Sequence, residues 1–372
     1  MDFIIENANR KSTRKIGIVI TGLGTGGAEK HLLKMLPKIR HEVFVVSLTN
    51  LNDVGKQLEA KGIRVYYLGM TKFNLLGTMC KLKNIMRDEK PDVVDSYLIH
   101  ANILTRFLGK ELAPKLINSV RNDYSNHTFL TKIDKKTINK PDMFMPNSRA
   151  LIPYLVDNGV EPYNIKVLPN GIDYPELVKH ISEKPIGKTI ISCVARLIPK
   201  KNQECLMKAL VHLPDEYNLW LIGDGSDRKR LEELADKLGI SDRIWFTGQR
   251  EDVISLVSQT NIFVLPSKTE GMSNALLEAM ALGKVCIASD IPQNRVLLED
   301  GRGILFPLDD CEDCLSRKIW ALPANNCYGT KASAYVMQNH DIKVIAEKYD
   351  MIIDQITREK KENARCYGVH KI

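Results

Sequence analysis

The stretch IGIVITGLGTGGAEK, residues 16–30, decides the fold class. Six β-forming residues run into a turn rich in glycine, and Ala28-Glu29-Lys30 then open a segment of helical period. That is one βα unit. The same alternation continues with strand-like runs EVFVVSL (42–48), IRVYYL (63–68), DVVDSY (92–97), KLINSV (115–120), DMFMPN (142–147) and IKVLPN (165–170). It resumes with TIISCVAR (189–196), NLWLIGDG (218–225), RIWFTG (243–248), NIFVLPS (261–267) and KVCIAS (284–289). Strands separated by helices throughout predict an α/β protein with parallel sheets. Residues 169–187 carry Pro169, Gly171, Pro175, Pro185 and Gly187 with little periodicity, and read as a hinge between two doubly wound domains. The expected division is 1–178, 179–345, and a C-terminal segment 346–372 whose helix crosses back before a disordered tail from Asn363. Such sheets bind ligands beyond the carboxyl ends of their strands, so two of them facing each other would form a cleft.

The 372 residues are 44% hydrophobic and 26% charged, which excludes a disordered chain, a collagen-like repeat or a disulfide scaffold. The net charge of +8 is unevenly placed: residues 1–178 hold 26 Lys and Arg against 18 Asp and Glu, whereas residues 179–372 hold 27 of each. A basic half suits nucleic acid, an anionic membrane or a phosphorylated ligand. No aromatic-interleaved basic motif, helix-turn-helix or zinc-finger spacing supports nucleic acid. No run approaches a membrane span, and residues 1–15 do not resemble a secretory signal, which predicts a cytoplasmic protein. The cysteines, such as Cys193 and Cys286, fall mostly in apolar runs as reduced thiols would. Cys311 and Cys314 form one CxxC, with Cys327 beyond, but no second pair completes a zinc site.

Gly22, Gly24 and Gly27 spell G-x-G-x-x-G, yet strand two ends in Ser47-Leu48-Thr49-Asn50, with Asp53 as the only late candidate for the carboxylate that would hold a dinucleotide ribose. Gly26 and Gly27 therefore read as a loop for close approach of a ligand. The more informative segment is LPSKTEGMSNALLEAMALG (265–283). A strand ends at Ser267, Glu270 lies in the loop, and a helix opens near Ser273, a residue type suited to capping. Glu278 interrupts an otherwise apolar helix and needs a partner, either a nearby Arg or Lys or the vicinal hydroxyls of a sugar. The amides of Gly271, Met272, Ser273 and Asn274 would meet a phosphate. Arg196 and Lys201, at the end of the second half's first strand, supply cations for a diphosphate. Gly223-Asp224-Gly225 and Gly248-Gln249-Arg250 end the next strands and let backbone approach a nucleobase.

Glu270 with Glu278, Arg196 with Lys201, Gly26-Gly27-Ala28-Glu29 and Asn170-Gly171-Ile172-Asp173 together resemble the retaining glycosyltransferases of family 4, which have the GT-B fold. The likeness covers roughly residues 15–350. It implies a nucleoside diphosphate sugar held by the second domain and a glycan or lipid-linked acceptor held by the first, with no obligatory metal and no other cofactor. Residue by residue, it implies that Arg196 and Lys201 stabilise the departing diphosphate, Glu278 holds the ribose and Glu270 the donor sugar. Gly223 and Arg250 complete the donor set, and Arg121, Asn122 and His127 are acceptor-side candidates. Arg121 stands where such proteins often have a histidine near the reacting centre, which leaves His100 as the catalytic histidine candidate, or as a residue capping a helix start. Residues 73–90 interleave Leu75, Leu76, Met79, Leu82, Ile85 and Met86 with Lys81, Lys83, Arg87 and Lys90, a pattern for a helix lying on anionic lipid at the inner face of the membrane or for one covered by a sheet. A nucleotide-sugar epimerase of the same fold and an NAD-dependent oxidoreductase are the competing functions.

Overall fold

The structure, a computed structural model, describes residues 13–121, 128–174, 177, 188–323 and 325–366. The chain divides into two compact units: the first runs to Pro169 and resumes at Lys343, and the second is Asn170–Ile342. The divisions thus fall at 169/170 and 342/343 rather than at 178/179 and 345/346. The local cause is that Asn170 and Ile172 bond within the second unit: the Asn170 side chain to Asn274 at 2.7 Å, and the Ile172 amide to the His340 carbonyl at 2.7 Å.

In the first unit β1 (Lys15–Ile20), β2 (Glu42–Ser47), β3 (Arg64–Tyr67), β4 (Val93–Tyr97), β5 (Lys115–Val120) and β6 (Met143–Pro146) pair in parallel in the order β3-β2-β1-β4-β5-β6. In the second, β7 (Thr189–Val194), β8 (Tyr217–Ile222), β9 (Ile244–Gly248), β10 (Ile262–Leu265), β11 (Val285–Ser289) and β12 (Ile304–Phe306) repeat that order as β12-β11-β10-β7-β8-β9. Each unit is therefore a doubly wound Rossmann-like sheet. Each has one place where the winding reverses, between β1 and β4 and between β7 and β10, and there the loops diverge and leave a crevice at the carboxyl edge. The middle strands are buried on both faces, as Ile16, Ile18, Val19, Ile191, Phe263 and Ile287 show.

Three elements differ from the sequence pattern. Residues 165–170 form no strand: Ile165 makes one bridge to Phe144, and Lys166 and Leu168 donate alternately to the flank of β6 before Pro169 ends the run. β12 is a strand that periodicity could not show, because three residues are too few to establish a period. The C-terminal helix Ile342–Cys366 runs beyond the expected onset of disorder at Asn363, and residues 367–372 lie outside the described ones. Ile345, Tyr349, Ile353 and Ile356 are buried along one face of it, each stabilising by about 1.5–3 kcal/mol. Arg40 ties it to β2's approach, donating its amide to Asp350 at 3.0 Å and its guanidinium to Asp354 at 2.8 Å.

Not all cysteines are free thiols. Cys193 and Cys286 are buried and free, and burial pushes the Cys193 thiol up to about 12. Cys311, however, forms a disulfide with Cys205. The helices Gln203–Val211 and Cys311–Trp320 pack together and bring their Cα atoms within 6.0 Å across 106 residues of sequence, a pairing that no spacing rule reveals.

Glu89 closes the amino-end edge of the first sheet. Lys15 lies 2.6 Å from its carboxylate, and Arg64 and Tyr66 also donate to it. Burial pushes this carboxyl up, but the three donors outweigh it and hold the group down at about 2. Its ordinary value is 4.5, so its stabilisation is complete above that pH and is lost as pH falls through 2. We expect Glu89→Gln to flatten the acid limb of a stability-versus-pH curve from urea melts; an unchanged limb would exclude this role.

Candidate functional site

The carboxyl edge of the second sheet collects cations. After β7 the chain turns through a single 3-10 turn, Pro199–Lys201, and Asn202 adopts a left-handed conformation (φ 56°) before the helix Gln203–Val211. Gln203 is buried and its side-chain Nε2 donates to the Arg196 carbonyl at 3.0 Å, fixing the start of this loop. The Lys268 amide donates to the Lys200 carbonyl at 2.8 Å, tying it to the loop after the neighbouring β10. These two loops flank the reversal point of the sheet. Lys201 Nζ lies 2.5 Å from Glu270 Oε1, both side chains being mostly buried. Arg196 is exposed at the loop tip. Burial, then the charges of Lys201 and Arg196, hold the Lys200 ammonium below its usual range, with Glu270 opposing. Three cations thus share one short loop, two of them acting on Lys200, an arrangement that favours an incoming anion.

Beside them the helix Asn274–Ala281 begins. Ser273 caps it, its hydroxyl accepting from the Leu276 amide at 3.3 Å, and Gly271 is buried. Glu278 is half-buried rather than enclosed: Leu276, Leu277, Ala279 and Met280 fill the core, while Asn274 and Glu278, four apart, share the more open face. Asn170 donates to the Met272 carbonyl (3.4 Å) and to Asn274 Oδ1, and its own carbonyl lies 2.9 Å from His340 Nδ1. Asn170 and His340 are positioning residues: the motif Asn170-Gly171-Ile172-Asp173 marks the first but gives it no task, and nothing local marks His340, because each acts across more than 100 positions.

Other expected donor contacts have different surroundings. A Cβ on Gly223 would stand 2.2 Å from the Ala195 carbonyl oxygen, and one on Gly225 2.3 Å from that of Leu197. These glycines let the β8 loop lie against the loop that carries Arg196. Arg250 makes a bidentate pair with Asp252 at 2.8 and 2.7 Å, so its fork is already filled by a chain neighbour. A cavity of about 260 Å³ lined by Pro199, Asn202, Gln203, Asp227, Arg230 and Lys268 lies beside the cation loop but includes neither Glu270 nor Glu278.

At the reversal point of the first sheet, Gly26 and Gly27 are exposed where the helix Gly27–Met35 starts. A Cβ at Gly22 would instead stand 2.7 Å from the Thr49 hydroxyl, so the first glycine of G-x-G-x-x-G serves packing. Leu98 precedes the helix Ile99–Leu108 with φ 72°, a strained value for a leucine, and His100 is exposed in its first turn. Arg121 is not on an open loop. It is 4% exposed, with its guanidinium 4.8 Å from the centre of the Tyr97 ring, because it follows β5 directly and turns onto the neighbouring strand. Burial, then Arg121 and Lys34, hold the His31 imidazole well below its usual range. Asp95, beneath, accepts from Ser119 (2.9 Å) and Tyr349 (3.1 Å), and burial pushes its carboxyl up to about 7. Asn122 and His127 lie outside the described residues. Among the described residues no three His, Cys, Asp or Glu side chains gather as metal ligands, and no helix is long and apolar enough to cross a membrane.

Residues 25–174 match the family described as Glycosyltransferase Family 4, and residues 176–326 match Glycosyl transferases group 1. An uncharacterized glycosyltransferase of Methanocaldococcus jannaschii is 29% identical over 241 residues, 60% of this chain and 61% of that protein. The N-acetylgalactosamine-N,N'-diacetylbacillosaminyl-diphospho-undecaprenol 4-alpha-N-acetylgalactosaminyltransferase of Campylobacter jejuni is 25% identical over 320 residues, 80% of this chain and 87% of that one. The crystal structure of HepE of Anabaena in complex with UDP superposes with a TM-score of 0.82 at 20% identity, covering 92% of this chain and all of that one. Two family matches in tandem, one on each doubly wound sheet, place this chain among the family 4-like glycosyltransferases of the GT-B fold.

Proposed function

We propose that this protein transfers a sugar from a nucleoside diphosphate sugar to a glycan or lipid-linked acceptor with retention of anomeric configuration, in the synthesis of a cell-surface polysaccharide or glycolipid. The observation that carries this reading is the convergence of Arg196, Lys200 and Lys201 with Glu270 beside the Ser273-capped helix. The UDP bound by the Anabaena neighbour and the lipid-diphosphate acceptor in the name of the Campylobacter relative support the two substrate classes.

In this mechanism Arg196 and Lys201 bind the diphosphate and meet the charge that grows as the bond from the anomeric carbon to the phosphate oxygen breaks. Glu278 accepts from the ribose hydroxyls and Glu270 from those of the sugar. The acceptor oxygen attacks from the face the phosphate leaves, and the departing phosphate oxygen takes the acceptor proton. No side chain then needs to cycle a proton, which suits a sheet edge where His31 is buried and Arg121 stays charged. The cations do the work of a metal, so we expect turnover to persist in EDTA.

The test is incubation with a panel of nucleotide sugars, read by mass spectrometry, beside thermal shifts with UDP, GDP and NAD. We expect UDP or GDP to raise the melting temperature and NAD not to. Stabilisation by NAD alone would overturn the reading, product formed without any acceptor would favour epimerisation, and loss of turnover in EDTA would remove the metal-free mechanism.

A further inference from the structure

The helix Leu75–Glu89 cannot lie flat on a membrane with its apolar face, because that face is already covered: Leu82 and Met86 are buried against the first sheet, along with Thr78 and Glu89. What remains outside is its tip. Phe73 is 98% exposed, Leu76 78% and Leu75 49%, on one short segment. This segment is held in shape. The Asn74 side chain accepts from the Thr71 amide at 2.7 Å and donates to the Gly69 carbonyl at 2.9 Å, and the Thr78 hydroxyl donates to the Asn74 carbonyl at 3.0 Å. A hydrogen-bonded turn therefore keeps three large apolar side chains in water, where folding alone gives no reason for them.

Cations flank this tip. Lys72 precedes Phe73 and Lys81 is exposed on the helix, while farther along it Lys83 pairs with Glu111 at 2.6 Å and Arg87 lies about three turns away. The segment follows β3, at the same carboxyl edge of the sheet as Gly26 and Gly27. The chain's whole positive excess lies in this half. A projecting apolar wedge of three residues is too small for a stable protein interface, which needs about 800 Å² from each partner. Apolar tips rimmed by Lys and Arg suit the boundary between anionic headgroups and acyl chains.

We infer that Phe73, Leu75 and Leu76 form a wedge that inserts into an anionic lipid surface, with Lys72 and Lys81 against the headgroups. The inference rests on the transfer reading for its purpose, since it would bring a lipid-linked acceptor to the sheet edge, but its test does not. Full-length protein is sedimented with vesicles of phosphatidylglycerol and phosphatidylcholine in equal parts, without nucleotide sugar or acceptor. We expect wild type to pellet at low salt, and the double variant Phe73→Ser, Leu76→Ser to partition at least about tenfold more weakly with an unchanged melting temperature. Phe73→Trp should give an emission that shifts to the blue on vesicle addition and is quenched by brominated acyl chains. Wild type that stays in the supernatant, a serine variant that pellets as wild type does, or a Phe73→Trp emission indifferent to brominated lipid would each overturn the wedge. None of these results bears on donor turnover, and a failed donor panel leaves the vesicle result standing.

Discussion

Replacing Lys201 with alanine lowers kcat/KM for the nucleotide sugar by about 10²–10³-fold, the usual cost of one preorganised group facing charge that develops in the transition state. The free protein holds Lys201 against Glu270 at 2.5 Å in a mostly buried pair. The substitution removes that partner, which costs about 1–3 kcal/mol of folding stability, so activity is to be measured well below the melting temperature. Two companions separate catalysis from packing. Lys201→Arg keeps the charge on a planar fork in place of a compact point and should restore only part of the rate. Glu278→Gln keeps the shape but weakens hydrogen bonds from ribose, and should raise KM and reduce the melting shift given by UDP. Turnover within threefold of wild type in both Lys201→Ala and Glu278→Gln would exclude the assigned donor site.

The largest expected effect on stability comes from a methyl group. Gly223 has φ 136°, and a Cβ there would stand 2.2 Å from the Ala195 carbonyl oxygen, with only backbone available to move. Gly223→Ala should cost about 3 kcal/mol or more. Gly239 is the control. It ends the helix Arg228–Leu238 with φ 66° and open space where a Cβ would go, so Gly239→Ala should cost only about 1 kcal/mol. Because Ala195 adjoins Arg196, any Gly223→Ala protein that folds should also bind UDP more weakly, whereas Gly239→Ala should not. Equal losses in urea melts would mean that the β8 loop yields freely and that Gly223 is not needed for close approach.

Much of this was legible in the sequence, for physical reasons. Strands buried on both faces are continuous apolar runs, so β1, β4, β7 and β10 stand out, and the loops at their carboxyl ends follow from the topology. Ser273 as a cap, and Lys201 and Glu270 each in a loop after a strand, follow from local chemistry; that β7 and β10 are neighbours and so pair the two side chains does not. Contacts made across the fold were not legible. The Cys205–Cys311 bond, the Asn170–His340 contact and the burial of Arg121 on Tyr97 depend on which surfaces packing brings together. The helix 75–89 was ambiguous for the opposite reason: its apolar stripe has the same period whether a sheet or a lipid covers it, and only exposure at Phe73 and Leu76 shows which part faces outward.

The return of the C-terminal helix to the first unit has a consequence for how the chain is made. The second unit is one uninterrupted piece, 170–342, whereas the first is interrupted by it and lacks Tyr349, Ile353 and Ile356 until its last helix has been synthesised. On the ribosome the second unit can therefore be complete while the first still awaits this helix. Until then the carboxyl of Asp95 has no Tyr349 hydroxyl, and the slot for that helix is open to solvent. Any stop between residues 342 and 349 would leave a complete second unit and a first unit without the helix that buries Tyr349, Ile353 and Ile356, so the nascent chain is at risk of aggregation until residue 356 has been added.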